Sequence, residues 1–110
     1  MPKERTLDLP YPFDRVWDAA SLVFQRARWD VIRTDRASGQ FEVKVVMDLL
    51  TGEETFYVDL TRIDNNSTRV RVAPYPGRSL TELFDWGITG QYIDSFLSGL
   101  ESALKGTLKP

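Results

Sequence analysis

The sequence contains no cysteine and no histidine. Without cysteine there is no disulfide, no thiol nucleophile and no thiolate metal ligand. Without histidine, a serine such as Ser79 or Ser95 has no ordinary base to activate it. Long apolar runs are also lacking, so no segment is expected to span a membrane. These absences predict a non-enzymatic protein with no cofactor and no metal site.

No charge of one sign dominates either, because the net charge of the 110 residues is −2. A balance of this kind gives no global field to hold nucleic acid or anionic lipid, so neither is expected as a partner. A hydrophobic content of 42% and a charged content of 27% are typical of a globular protein. The length predicts a single domain over 1–110.

The first residues, Met1 to Arg5, lack the apolar segment of a signal peptide. If Met1 is the native start, the expected compartment is the cytoplasm. The alternative is an exported envelope lipoprotein domain from which the signal has been removed.

Hydrophobic periodicity predicts the element order β-α-β-β-β-β-α. A short alternating strand over 6–9 stops at Pro10. A helix is then predicted to begin at Pro12, because proline at the first helical position costs no hydrogen bond. Its apolar residues recur as one helix face requires. They are Phe13, Val16, Trp17, Ala20, Val23, Phe24 and Ala27.

Four more strands are predicted, the first over 29–34 and the others from alternating apolar residues. The alternating sets are Phe41, Val43, Val45 and Met47, then Phe56, Val58 and Leu60, then Val70 and Val72. A two-residue turn at Thr51-Gly52 would place Met47 opposite Phe56 and Val45 opposite Val58.

Parity limits the number of residues that can connect the strand of Leu60 to the strand of Val70. Leu60 and Val70 can share a sheet face only if an odd number of residues, three or five, connects their strands. With Val70 opposite Leu60, Asp59 would lie between Lys44 and Arg71 on the water-facing side of the sheet.

After a break at 74–77, the sequence predicts a helical turn over 80–86, interrupted by Gly87 and Gly90, and then a last helix. The apolar stripe of that helix consists of Ile93, Phe96, Leu97, Leu100 and Leu104. Two helix stripes and one apolar sheet face are buried together if both helices pack on the same side of an antiparallel sheet. The predicted fold class is therefore two-layer α+β.

Two stretches resemble the helix-grip and TBP-like group of folds. The segment from Tyr11 to Ala19 is similar to the opening of the first helix in these families, with a proline followed by Val16-Trp17. The second stretch, from Arg28-Trp29-Asp30-Val31-Ile32 up to Ser38-Gly39-Gln40-Phe41, is similar to the strand and glycine turn that come next. Among these families the chain looks most like BamC-like lipoprotein domains and, more distantly, Bet v 1/START-like (SRPBCC) proteins. The chain is shorter than START-like proteins and lacks their pair of small helices, which favours the BamC-like variant.

Two sets of charged residues are candidate sites. The candidate acid–base carboxylates are Asp48, Glu53, Glu54 and Asp59, with Asp85 near the last helix. Nearly all are expected in turns or on the water-facing side of the sheet, where nothing prepares them for acid–base catalysis. Possible anion contacts in the locally basic segment are Arg69, Arg71 and Arg78. The simpler interpretation is that such arginines are solvated strand residues paired with Asp59 and Glu42.

Aromatic and apolar residues around the Pro/Gly-rich connection form the candidate ligand or partner surface. They are Tyr75, Leu80, Phe84, Trp86 and Tyr92. The competing interpretation is that these residues close one end of the core.

The backs of the two helices carry less expected residues. Leu22 lies opposite the apolar stripe of the first helix and is expected to be exposed. On the last helix a strip of small residues would allow close approach of another helix, and hence self-association, or would simply be exposed. The strip consists of Ser95, Ser98, Gly99, Ser102 and Gly106.

The leading functional hypothesis is a non-catalytic binding or assembly domain that acts through protein–protein contacts, as the BamC-like resemblance implies. The alternative is a small carrier of an apolar molecule or lipid, as the Bet v 1/START-like resemblance implies. The expected lining of its cavity is Phe41, Phe56, Phe84, Trp86, Tyr92 and Phe96.

Overall fold

The computed structural model describes the backbone of residues 5–48, 52–74 and 80–106, and the side chains of 5–45, 55–73 and 91–106. In this part of the chain the elements follow the predicted order. They are β1 Arg5–Leu9, α1 Phe13–Ala27, β2 Asp30–Asp35, β3 Gln40–Asp48, β4 Gly52–Asp64, β5 Ser67–Pro74 and α2 Leu80–Leu104. The strands form one antiparallel sheet in the order β1-β5-β4-β3-β2. Both helices pack on one face of it, so the fold is an α+β helix-grip fold.

Helix α1 has the predicted buried face. Its first turn is fixed by Pro12, whose carbonyl oxygen accepts a hydrogen bond from the Val16 N–H at 3.1 Å. The predicted stripe is buried except at Ala27, which is exposed. The helix ends at Ala27, and Arg28 turns the chain with a left-handed φ of 61°. Ala27 is therefore carried away from the sheet with the end of the helix.

The predicted inward residues of the three long strands are buried wherever their side chains are described. They are Phe41, Val43, Val45, Phe56, Val58, Leu60, Val70 and Val72, each at most 3% exposed. Thr68 is the one buried polar residue among the described side chains, and its hydroxyl donates to the Tyr11 carbonyl oxygen at 2.9 Å. This bond offsets the cost of burying the hydroxyl and ties β5 to the segment before α1.

The predicted pairing of β3 with β4 is wrong by four residues. Val43 lies opposite Phe56, and Val45 lies opposite Glu54, not Val58. Gly52 belongs to β4, where it pairs with Asp48, so Thr51-Gly52 is not a two-residue turn. A shift by an even number keeps every side chain on its face, so the alternating pattern fits both registers equally well.

The β4–β5 pairing has the predicted register, with Leu60 opposite Val70 and Asp59 opposite Arg71. On the other side, Asp59 lies opposite Gln40 and not Lys44, because β3 is shifted. The connection itself is shorter than predicted, since Asp64 pairs with Ser67 across two residues. An irregularity between Arg62 and Asp64 supplies the extra residue that parity requires.

Helix α2 is longer than predicted, because it runs unbroken from Leu80 to Leu104 through Gly87 and Gly90. A glycine inside a helix costs about 1 kcal/mol relative to alanine, which weakens a helix without ending it. The helix ends at Leu104. Two residues later Gly106 has a φ of 80°, and its N–H donates to the Ala103 carbonyl oxygen. Neither helix in the described part of the chain has the length and hydropathy to cross a membrane.

Two predictions about the helix backs are corrected. Leu22 is half-buried, not exposed. Gly99 does not lie on a free surface, because a Cβ built there would come within 3.2 Å of the Val23 side chain on α1. The helix that approaches Gly99 is therefore α1 of the same chain. Of the other strip residues, Ser95, Ser98 and Gly106 are exposed as predicted, whereas Ser102 is half-buried.

Candidate functional site: a groove between the first helix and an edge strand

Strand β2 lies at one edge of the sheet and pairs only with β3. Its inward residues Val31 and Thr34 pair with Val43 and Phe41. Unlike those buried partners, Val31 is only half-buried and Thr34 is exposed. Helix α1 therefore leaves the inward face of the edge strand partly open, and an open groove of about 580 Å³ lies between the two elements.

The floor of the groove is apolar and largely aromatic. Its lining includes Leu22, Phe24, Trp29, Val31 and Phe41. The Phe24 and Phe41 rings meet edge to face with centroids 5.0 Å apart, and the Trp29 ring lies 6.4 Å from Phe24. Phe24 and Phe41 are 1% and 2% exposed, so they are fixed in the core and only border the groove. The half-buried residues Leu22, Trp29 and Val31 provide its accessible apolar surface.

Trp29 reaches the floor because of the way α1 ends. The left-handed conformation of Arg28 lets the N–H of Trp29 donate to the Phe24 carbonyl oxygen at 3.0 Å. This places the indole against Phe56 at 5.7 Å and Tyr92 at 5.9 Å, both edge to face. The indole thus has contacts to α1, to the sheet and to α2.

The rim of the groove is polar. Asp18, Ser21 and Gln25 lie on α1 at the three- and four-residue spacing of one helix face, and Thr34 lies across from them on β2. Beyond Asp18, the guanidinium of Arg36 pairs with Asp14 at 2.9 Å and with Asp18 at 3.9 Å. It also lies 5.4 Å from the centre of the Trp17 ring, so the turn between β2 and β3 is held against α1.

The structure describes only part of the ligand or partner surface predicted from the sequence. Tyr75 lies outside the described residues. Leu80, Phe84 and Trp86 belong to the backbone of α2, but their side chains lie outside the described part. Tyr92 is half-buried and contacts Trp29, which connects it to the floor of the groove.

The predicted lining of a carrier cavity is described at four positions. Phe41, Phe56 and Phe96 are each at most 2% exposed. Phe96 packs against Phe56 with centroids 6.3 Å apart, and it stacks on Phe24 at 5.1 Å. Phe41 borders the groove. Tyr92 contacts Trp29, which lines the groove. Phe56 and Phe96 are thus in direct contact, whereas Phe41 is connected to Phe96 through Phe24, and Tyr92 to Phe56 through Trp29.

Both described members of the predicted anion site are paired with carboxylates. Arg69 donates to the two oxygens of Asp8 at 2.7 and 3.1 Å. This hydrogen bonding holds the pKa of Asp8 below its ordinary value and raises the pKa of Arg69. Arg71 donates to Asp59 at 2.8 Å. Arg78 lies outside the described residues.

The groove is not predictable from the sequence. Part of the signal is present, because Leu22 is an apolar residue off the main stripe of α1. The pattern of the residues across from it predicts a strand, but it does not indicate how far α1 covers that strand. Within the described side chains, no group of three or more acidic residues comes together that could hold a metal ion.

Solved structures share the fold with this chain, and three examples follow. The di-domain ARO/CYC BexL from the BE-7585A biosynthetic pathway matches 100% of this chain over 48% of its own length, with a TM-score of 0.66 and 12% identity. Ara h 8.0201, a Bet v 1-like protein, matches 96% of this chain over 98% of its own, with a TM-score of 0.58 and 9% identity. A conserved protein from Geobacillus kaustophilus matches 97% of both chains, with a TM-score of 0.55 and 10% identity.

At these identities the likeness shows the fold alone. It supports the Bet v 1-like side of the resemblance and gives no support to the BamC-like side. No family model matches the sequence, and no curated protein does.

Proposed function

We propose that this chain binds a small apolar molecule in the groove between α1 and β2. The observation that carries the proposal is the groove itself, an open hollow of about 580 Å³ with an apolar, largely aromatic floor and a polar rim. Small-molecule sites are commonly hollows of roughly 300–1,000 Å³ with such a lining. The shared fold with a Bet v 1-like protein supports this function over an assembly role.

The accessible floor residues give the physical reason for binding. Leu22, Trp29 and Val31 keep apolar surface in contact with water, and a ligand that covers this surface gains about 25 cal/mol for each Å² removed from water. An aromatic ligand gains further from edge-to-face or offset contact with the Trp29 indole. A flat aromatic molecule of one or two rings is therefore the simplest occupant.

The proposal is limited to binding without chemistry. Among the described residues that line the groove, Asp18 is the only ionisable one. A single exposed carboxylate, in a chain without histidine or cysteine, supplies neither an acid–base pair nor an activated nucleophile.

Titration with the neutral probe 1-naphthalenemethanol, followed by ¹H–¹⁵N correlation spectra, tests the proposal. We expect the largest shifts at the amides of Leu22, Trp29, Val31 and Thr34. Thr34→Trp fills part of the groove and should weaken binding at least about fivefold. Arg33→Trp is the matched control, because Arg33 precedes Thr34 on β2 and its pairing with Glu42 places it on the other sheet face.

The result that overturns the proposal is a titration in which these amides do not move, or in which Thr34→Trp binds as tightly as the unmodified chain. Native mass spectrometry after gentle purification separates carrier from assembly factor. A co-purifying small molecule supports the carrier, whereas a partner protein that blocks probe binding supports the assembly role.

A further inference from the structure

Resting on the proposed function, we infer that the groove selects its ligand by charge. It takes an aromatic molecule that carries a cationic group, such as a protonated amine, in preference to the corresponding carboxylate. The juxtaposition behind this inference is one carboxylate, Asp18, on the rim of a groove whose accessible floor includes the Trp29 ring and whose lining, among the described side chains, includes no basic residue.

Asp18 is placed to meet the polar end of a bound molecule. It lies on the same face of α1 as Ser21, Leu22 and Gln25, and all four line the groove. Its side chain is 77% exposed, so the carboxylate is accessible without any rearrangement of α1. A ligand whose ring system lies on the floor can therefore direct its substituent toward this carboxylate.

The aromatic floor favours the same sign of charge. The face of an aromatic ring attracts a cation through its quadrupole, and tryptophan does so most strongly. Trp29 is half-buried and lines the groove, so part of this residue is accessible to a ligand there. The indole and the carboxylate thus act in the same direction, and a ligand carboxylate is disfavoured by both.

Arg36 opposes this selection only in part. Its guanidinium is 2.9 Å from Asp14 and 3.9 Å from Asp18, so one positive charge is shared between two negative ones. Arg36 does not line the groove, and its guanidinium also contacts the Trp17 ring, 5.4 Å from the ring centre. The trio Asp14, Arg36 and Asp18 keeps a net charge of −1 at this end of the groove.

The expected selectivity is modest because the site is open to water. Exposed charge pairs contribute little, and an amine gains about as much from Asp18 as a carboxylate loses. Together these effects give an affinity ratio of about 5- to 10-fold between amine and carboxylate at low ionic strength. The ratio should fall as salt screens the rim.

Three probes of one shape measure this ratio: 1-naphthylmethylamine, 1-naphthalenemethanol and 1-naphthoate. Dissociation constants are taken from the shifts of the groove amides at low salt. Asp18→Asn should reduce the amine-to-carboxylate ratio to about 2 or less. Glu101→Gln removes the same charge from the exposed surface of α2 and should leave the ratio unchanged.

Arg36→Gln provides a test in the opposite direction. It removes the cation beside Asp18 and should raise the ratio. The inference is overturned if the unmodified chain binds amine and carboxylate equally, or if the ratio is unchanged in Asp18→Asn. In that case, binding of 1-naphthalenemethanol in the groove would still support the proposed function. If none of the three probes shifts the groove amides, the proposed function fails as well.

Discussion

Gly39 is the residue at which the backbone most clearly requires glycine. It has a φ of 76°, and a Cβ built on it would lie 2.1 Å from the Leu60 carbonyl oxygen. The Leu60 N–H donates to the Gly39 carbonyl oxygen at 2.7 Å, so the two backbones are in direct contact. This contact fixes the turn between β2 and β3 against β4, at the end of the sheet where Arg36 reaches α1.

Gly39→Ala should lower the free energy of unfolding by more than about 2 kcal/mol, because the methyl group meets backbone and the φ angle is strained. Gly106→Ala is the matched control. Gly106 has a similar φ of 80°, but nothing lies within 4 Å of its added methyl group. It should cost only the left-handed strain, about 1 kcal/mol. Urea unfolding measures both, and equal losses would contradict the role of the Leu60 contact.

Asp18 also belongs to the residue scale, since one side chain decides the charge selection inferred above. It is a surface residue of an amphipathic helix, where a solvated carboxylate is the ordinary expectation. Asp18 differs from an ordinary surface carboxylate because it lines the groove, on the same helix face as Leu22 of the apolar floor. Substitutions there should therefore change ligand preference and leave stability nearly unchanged.

At the scale of elements, the contact between α1 and α2 depends on the absence of a side chain. Val23 of α1 packs where Gly99 of α2 has no Cβ, with 3.2 Å between the Val23 Cγ1 and a Cβ built there. Because the helices pack closely at this small residue, Val23 is buried and only 5% of it remains exposed. The glycine thus sets the distance between the helices that cover the sheet.

Gly99→Leu should destabilise the protein by roughly 1–3 kcal/mol, because the new side chain must displace Val23 or separate the helices. Ser98→Leu adds a leucine to the neighbouring exposed position of the same helix. It should change the free energy of unfolding by less than about 0.5 kcal/mol. If thermal or urea unfolding finds the two variants equally stable, the close approach of α1 to Gly99 is not a feature of the protein in solution.

At the scale of the whole molecule, aromatic rings connect the two layers. Phe24 of α1 stacks on Phe96 of α2 with an interplanar angle of 10°, and Phe96 in turn contacts Phe56 of the sheet. Trp29 joins the same set through Phe56 and Tyr92. Removing one ring therefore affects α1, α2 and the sheet together.

The Phe24–Phe96 contact can be measured as a coupling. Phe24→Leu and Phe96→Leu should each destabilise the protein, and the double variant should lose less than the sum of the two. We expect a coupling free energy of about 0.5–1.5 kcal/mol. Urea unfolding of the four proteins in the cycle gives this value. Additive losses would mean that the stacked geometry contributes nothing beyond the burial of each ring.

Much of the fold follows from local periodicity. The stripe of α1 and the inward residues of β3, β4 and β5 were predictable because a side chain's face depends only on its position within its own element. Parity allowed the observed register of Leu60 with Val70 as one of several, but it predicted a connection of three or five residues where the structure has two and an irregularity. The same reasoning could not choose between registers of β3 and β4 that differ by an even number, because both bury the same residues.

The order of the elements and most of their buried faces follow from the sequence alone, since they are properties of single segments. Three features could be seen only after folding: α2 is one helix, α1 packs on Gly99, and the inward face of β2 stays partly open. Each of these depends on how far one element covers another. That distance is set by packing between residues far apart in the chain, and the groove with Asp18 on its rim exists for this reason.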